Sequence, residues 1–293
     1  MLLSHRARQL VRYLPVLPAV LLLLVFLAGP VLWAFQASLT NAGLTGRSAR
    51  NPEWVGLENY QRLLADPAFP LSLVLTVLFV GGSAVLGQNL LGLAIAVLMR
   101  RARPAVSSLV GIAVVAAWVL PEIVAAFAAY AYFSRDGTLN QLLRGLGLGQ
   151  TDWLYTFPMV AVMLANVWRG TAFSMLVYRA ALNDVPAEVA EAAQMDGAGG
   201  WQRLVFITLP MIRGSIATNL MLITLQTLAV FTLIWVMTAG GPANASATLP
   251  ILAYQEAFKF GDIGYGTAVA TVLILIGAAF GGAYIRMLRE PRP

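Results

Sequence analysis

Apolar residues run in six long blocks, 13–38, 71–98, 107–133, 156–179, 214–238 and 264–285, separated by shorter polar stretches. A hydrocarbon core about 30 Å thick needs about 20 helical residues per crossing, and each block supplies that length. The pattern predicts an all-α membrane protein, a six-transmembrane-helix bundle. Polar segments 39–70, 134–155 and 239–263 then fall on one side, and 99–106, 180–213 and the tail from 286 on the other. An even number of spans puts both termini together. The chain divides into residues 1–70 (N-terminus, first helix and first outer loop), a transmembrane core over 71–285 and a tail over 286–293.

Composition agrees. Only 11% of the 293 residues are charged, 59% are apolar and the mean hydropathy is +0.76. Soluble domains carry about 25% charged residues, so an ordinary soluble enzyme is excluded. The net charge of +6 matters through its placement. Arg6, Arg8, Arg12, Arg100, Arg101, Arg103, Arg179, Arg203, Arg213, Arg286, Arg289 and Arg292 lie on one side, and Arg47, Arg50, Arg62, Arg135, Arg144 and Lys259 on the other. A bias of 12 to 6 puts both termini in the cytoplasm, and the charge reads as a topology signal with no nucleic acid implied. The first block is too long for a signal-peptide core and lacks a small-residue cleavage pattern, so it reads as a retained helix. Cysteine is absent and the lone His5 sits in the basic N-terminus, which leaves no metal site or thiol nucleophile. Ser83/Gly87 and Gly277/Gly281 are small-xxx-small pairs, expected at close helix–helix contacts.

The cytoplasmic segment 183–214 is too polar to cross a membrane. Pro186 suits a first helical turn, Asp184 and Glu188 favour a helix N-terminus, and Ala187 to Met195 is strongly helix-forming. Gly197 is placed to leave that helix in a left-handed turn. A second amphipathic piece, Trp201 to Ile207, leads to Pro210 and the fifth span. The first helix is acidic, through Glu188, Glu191 and Asp196, and its alanine-rich face fits a protein groove better than anionic headgroups.

Glu191-Ala192-Ala193, Gly197, Ile207, Leu209 and Pro210 resemble, at matching spacing, the EAA motif of binding-protein-dependent ABC importer permeases. Val55 to Tyr60, Gly137 to Asn140, Gly240-Gly241-Pro242 and Gly264-Tyr265-Gly266 look like the maltose- and trehalose-type sugar permeases of the first-subunit kind. Glu122 departs from that pattern, which has an apolar or small residue there. The resemblance implies a multi-pass subunit of a prokaryotic plasma membrane. It implies a second permease subunit, two ATPase subunits and an extracytoplasmic substrate-binding protein as partners. Glu188, Glu191, Ala192, Ala193, Asp196, Gly197, Leu209 and Pro210 would form the ATPase-coupling element, a cytoplasmic coupling helix between spans 4 and 5. ATP and Mg²⁺ would be held by the ATPase, with no cofactor in this chain. The sequence agrees, because a phosphate-binding loop needs G-x-x-x-x-G-K-[ST] and the only lysine, Lys259, lies between Phe258 and Phe260.

Ionisable residues inside spans are costly and default to functional sites. Glu122 and Arg169 are the two here, about 22 Å and about 16 Å from the inner ends at 1.5 Å per residue, within reach of each other. They read equally as a structural ion pair or as lining of a translocation path. Asn166, Arg169 and Phe173 share a helix face, as do Asn219 and Gln226, and Trp168 and Phe231, with Trp118, offer aromatic faces. Such a set suits a di- or oligosaccharide. A permease for a phosphorylated polyol is the alternative within the class. A stand-alone secondary transporter and an intramembrane enzyme are further alternatives, which the loop motif and the lack of catalytic groups disfavour.

Overall fold

The computed structural model describes residues 14–289. His5, Arg6, Arg8, Arg12 and Arg292 lie outside them, as do the side chains of 287–289. The described residues form helices joined by loops: α1 Leu17–Ala37, α2 Glu58–Ala65, α3 Ala68–Arg101, α4 Pro104–Val119, α5 Glu122–Phe133, α6 Thr138–Gly145, α7 Pro158–Asn183, α8 Ala187–Met195, α9 Gly200–Met211, α10 Arg213–Leu228, α11 Thr232–Thr238 and α12 Ile263–Arg289. By length and composition α1, α3, α7 and α12 can each cross a bilayer. Two further helix pairs reach that length and composition only when taken together, and both are bent: α4 meets the helical stretch from Glu122 at 105°, and α9 meets α10 at 71°.

Two apolar blocks expected to be continuous helices are interrupted. The third, 107–133, stops at Leu120, whose backbone is extended at φ −56° and ψ 135°. Pro121 forces this, because its ring disfavours a helical residue before it and it has no N–H to donate. The fifth, 214–238, stops at Leu228 and resumes at Thr232. Phe231 leaves helical geometry there and stacks on Trp235 with ring centroids 5.7 Å apart and planes at 15°.

The described residues form two compact units, 14–65 with 253–272, and 66–252 with 273–289. In the second, α7 is the central element and packs on α3, α4, α10 and α11. Close approach to α3 depends on glycine: a Cβ at Gly87 would fall 2.3 Å from Val167 Cγ2. The Ser83/Gly87 pair thus serves the contact expected of it. At Gly277 and Gly281 a Cβ would meet nothing within 4 Å in this chain.

Two apolar clusters fill this unit. One joins Phe79, Phe133, Val162, Leu233, Ile234 and Ile251, and the other Met99, Met175, Tyr178, Leu182, Val185 and Ile212. The segment after α11 folds inward, with Ser246, Ala247 and Thr248 buried, the Thr238 and Ser246 hydroxyls 2.8 Å apart, and buried Leu249 opening a further helix, Leu249–Tyr254, with its N–H donating to Thr76 Oγ1 at 2.9 Å. Gly137 to Asn140 is the start of α6 and fastens the neighbouring loops. Asn140 is fully buried, donates to the carbonyls of Arg135 and Thr151 at 3.0 and 2.7 Å, and accepts from Trp153 Nε1 at 3.2 Å.

In the first unit the outer loop is tied by its side chains. Asn59 Nδ2 donates to the carbonyls of Ser38 and Thr40 at 2.9 and 2.8 Å. Arg62 on α2 reaches Asp262 at 2.5 Å and Glu256 at 4.0 Å, and lies 4.2 Å from the centre of the Tyr265 ring. Partial burial lowers the Arg62 pKa, but the hydrogen bond and charge of Asp262, with Glu256 behind them, outweigh it and raise the value above the ordinary one.

Candidate coupling surface and translocation path

Helix α8 starts at Ala187 because Pro186, at φ −57° and ψ 136°, cannot donate into a preceding turn and Glu188 meets the positive helix end. It ends in a left-handed turn at Gly197, φ +81°, where the Gly197 N–H reaches the Gln194 carbonyl at 3.1 Å and the Ala198 N–H the Ala193 carbonyl at 2.9 Å. Only glycine takes that conformation without strain. Glu188, Glu191, Ala192 and Met195 are exposed and fall at helical spacing on one stripe, while Ala193 is buried on the opposite side. Asp196 and Gly197 extend the exposed surface.

Both ends of this helix are fastened to the bundle. Leu182 and Val185 precede it and Ile212 follows it, all in the apolar cluster that contains Tyr178 and Met175, with Leu209 packed against them. Arg203 on α9 donates to Gln194 Oε1 at 3.0 Å, closing α9 back on α8. The eight residues expected to form one coupling element therefore split by role. Glu188, Glu191, Ala192, Asp196 and Gly197 lie on its exposed side with Pro210, whereas Ala193 is buried and Leu209 packs against the apolar cluster of the spans. Met195, which the sequence reading passed over, is 88% exposed at the end of the stripe.

Within the spans, Glu122 opens α5 just after the Pro121 break, so a straight-helix count does not give its depth. Its Oε1 is buried without a hydrogen-bond partner, as is Nε of Arg169 on α7. No ion pair joins the two among the described residues. One turn from Arg169, Phe173 lies 6.1 Å from Trp118, ring centre to ring centre. Trp168 lines an apolar hollow of about 620 Å³ with Tyr132, Phe133 and Leu139. Gln226 is exposed near the end of α10, and Phe231 sits at the break that follows.

Asn166 and Asn219 differ from the expectation of a lining. Both are buried in the bundle and bonded to neighbouring helices. Asn166 Nδ2 donates to Ser83 Oγ at 2.8 Å, and its carbonyl accepts from Gln88 Nε2 at 3.1 Å. Asn219 Nδ2 lies 3.0 Å from Ser174 Oγ, 3.2 Å from the Tyr178 hydroxyl and 3.3 Å from Asn89 Oδ1. Tyr178 also donates to Asn89. In an apolar medium an amide finds its partners on another helix, and these bonds pin α3, α7 and α10 together. Gln88, Asn89 and Tyr178 went unnoticed in the sequence reading. The signal was Gln88-Asn89 inside an otherwise apolar run.

An acidic, small-residue stripe on a helix fastened at both ends to a bundle of apolar helices is thus the surface that the described residues present beside the spans. The comparisons identify the class. Residues 63–289 match the family described as "Binding-protein-dependent transport system inner membrane component", and the chain belongs to that family. It is 32% identical over 99% of its length to the trehalose/maltose transport system permease protein MalF of Thermococcus litoralis, of which it covers 97%. It is 30% identical over 96% of its length to the sulfoquinovosyl glycerol transport system permease protein SmoG of Agrobacterium fabrum, of which it covers 91%. Among solved structures, a chain of a bacterial alginate ABC transporter in complex with its alginate-bound periplasmic protein shares the fold, with a TM-score of 0.82, 21% identity and coverage of 97% of this chain and 95% of the other.

Proposed function

We propose that this chain is one of two permease subunits forming the translocation path of an ABC importer, carrying a di- or oligosaccharide such as trehalose or maltose across a prokaryotic plasma membrane. An extracytoplasmic binding protein delivers the cargo, two ATPase subunits bind ATP and Mg²⁺, and both termini and α8 face the cytoplasm. The observation that carries this reading is the exposed stripe Glu188, Glu191, Ala192 and Met195 on a helix held at both ends. Small side chains let a partner's backbone approach, and Glu191 offers a charge to a basic group in the ATPase groove. Closure of the two ATPases then displaces α8. Because Val185 and Ile212 share one packed cluster with α3 and α7, the displacement passes into the spans as a rigid-body step.

The path in this reading is lined by Glu122, Trp168, Arg169, Phe173, Gln226 and Phe231. Asn166 and Asn219 support it from behind. The unpartnered Glu122 Oε1 and Arg169 Nε suit hydroxyl groups, and the aromatic side chains suit the apolar faces of sugar rings. A permease named for trehalose and maltose among the relatives supports the sugar assignment. A second reading, an anionic sugar or phosphorylated polyol, is favoured by the unpartnered Arg169 Nε and by the relative named for sulfoquinovosyl glycerol.

Reconstitution of the complete complex with its co-purified binding protein tests both. Trehalose or maltose is expected to stimulate ATP hydrolysis and uptake, and stimulation by acidic sugars alone would favour the second reading. Uptake driven by an ion gradient without ATP would overturn the assignment.

A further inference from the structure

On the bundle side of the coupling loop, positive charge gathers without a counter-charge. A cleft of about 240 Å³ opens between the end of α3, the inner side of α8 and the start of α9, and Arg100, Arg101 and Arg203 line it with Leu204 and Thr208. The Arg101 guanidinium lies over Gly200, where a Cβ would come within 3.1 Å of Nη2. Arg203 Nη1 donates to Gln194 Oε1 at 3.0 Å and toward the Ala190 carbonyl at 3.5 Å. Among the described residues none of the three arginines forms an ion pair within 4.0 Å. The neighbouring carboxylates Glu188, Glu191 and Asp196 are exposed on the coupling surface itself. Three like charges lining one cleft repel one another, and an anion between them relieves that repulsion.

Helix α9 supplies an independent observation. It meets α10 at 71°, so it runs across the direction of the span, and its Trp201 and Phe206 are 74% and 73% exposed. Exposed aromatics on a helix turned across a span, beside arginines, have the composition of a segment lying in a membrane interface. A free phosphate would account for the arginines and leave Trp201 unexplained; a phospholipid accounts for both.

We propose that this cleft binds the headgroup phosphate of an anionic phospholipid from the leaflet that α9 faces, with Trp201 at the acyl boundary and the three guanidiniums on the phosphate, while Phe206 borders the hollow of Asp196 and Gly197. Guanidinium forks match phosphate oxygens in pairs, which suits arginine to the task. Arg203 also holds Gln194 and Ala190 of α8, so the lipid is connected to the coupling helix through a single side chain.

The test uses the assembled complex with its partner permease and ATPases, exposed to phosphatidylglycerol or phosphatidylcholine and weighed intact by native mass spectrometry. The wild type is expected to retain phosphatidylglycerol preferentially. Each guanidinium at an anionic surface contributes about fivefold in affinity, so Arg100→Gln/Arg101→Gln/Arg203→Gln should lower retention at least about tenfold. The corresponding triple lysine variant should keep most of it, which separates charge from folding. Equal retention by the wild type and the glutamine variant overturns the proposal. So does displacement of the lipid by inorganic phosphate at matched concentration, or loss of the ATPases from the glutamine variant with lipid retention unchanged. Retention is read without transport, so its failure is distinguishable from failure of the proposed function.

Discussion

Gly197 and Asn219 do opposite kinds of work in this chain. Gly197 sits at φ +81°, which an alanine adopts only at a cost of about 1–2 kcal/mol, and its N–H is bonded to Gln194. Gly197→Ala is expected to leave an assembled complex with weakened cargo-stimulated ATP hydrolysis. Gly197→Pro, which fixes φ near the wrong sign and removes the donor, should abolish transport while membrane insertion persists; normal uptake by the inserted variant would refute the coupling role. Asn219 bonds three side chains inside the bundle, so Asn219→Leu should cost about 1–2 kcal/mol, seen as a lower Tm of the purified complex. The role of Gly197 was legible in the sequence because a left-handed helix end is a local property. That of Asn219 was not, because an amide pointing into a bundle and one pointing into a pathway have the same helical spacing, and only the neighbouring Ser174 and Tyr178 distinguish them. At Arg62 the raised pKa means the guanidinium is charged on both sides of folding throughout the working range. Its contribution is complete below its unfolded value and is lost only as pH rises through the still higher folded one, so this cation adds no pH dependence near neutrality.

Among the elements, the pairing of α3 with α7 rests on shape. Gly87→Leu would drive a side chain into Val167 and should destabilise the complex by about 1–3 kcal/mol, with partial rescue by Val167→Ala. A thermal-melting double-mutant cycle checks this, and additive losses would exclude direct contact. The positions of the long helices followed from run length alone, since α3 and α7 each hold an apolar stretch that a bilayer can accommodate. The break at Leu120-Pro121 was written in the sequence as plainly, yet a hydropathy run continues through a proline without interruption. The break between Leu228 and Thr232 has neither proline nor glycine, and depends on Phe231 turning to stack on Trp235. That pair is four residues apart and visible in the sequence, but the same spacing also suits an unbroken helix, so it does not mark the break.

For the molecule as a whole, the outer stripe of α8 and the polar groups of the spans are separate surfaces, and mutations should affect them separately. Glu191→Ala is expected to abolish cargo-stimulated ATP hydrolysis and uptake together. Arg169→Ala and Gln226→Ala are expected to change uptake and cargo preference while basal ATP hydrolysis persists. Unchanged uptake and specificity in both would exclude that lining. The bend between α4 and α5 adds a consequence of another kind. Where a helix stops inside a membrane, its last carbonyls and the first amides of the next segment lack helical partners and must find them elsewhere. The Pro121 carbonyl is taken by the Val124 and Ala125 N–H groups at 3.0 and 3.1 Å, which leaves the last carbonyls of α4 and the Glu122 N–H to bond a hydroxyl-bearing solute directly, and no side-chain substitution removes them. Selectivity anchored on the main chain would survive an alanine scan of the pathway and respond instead to replacement of individual amides by esters.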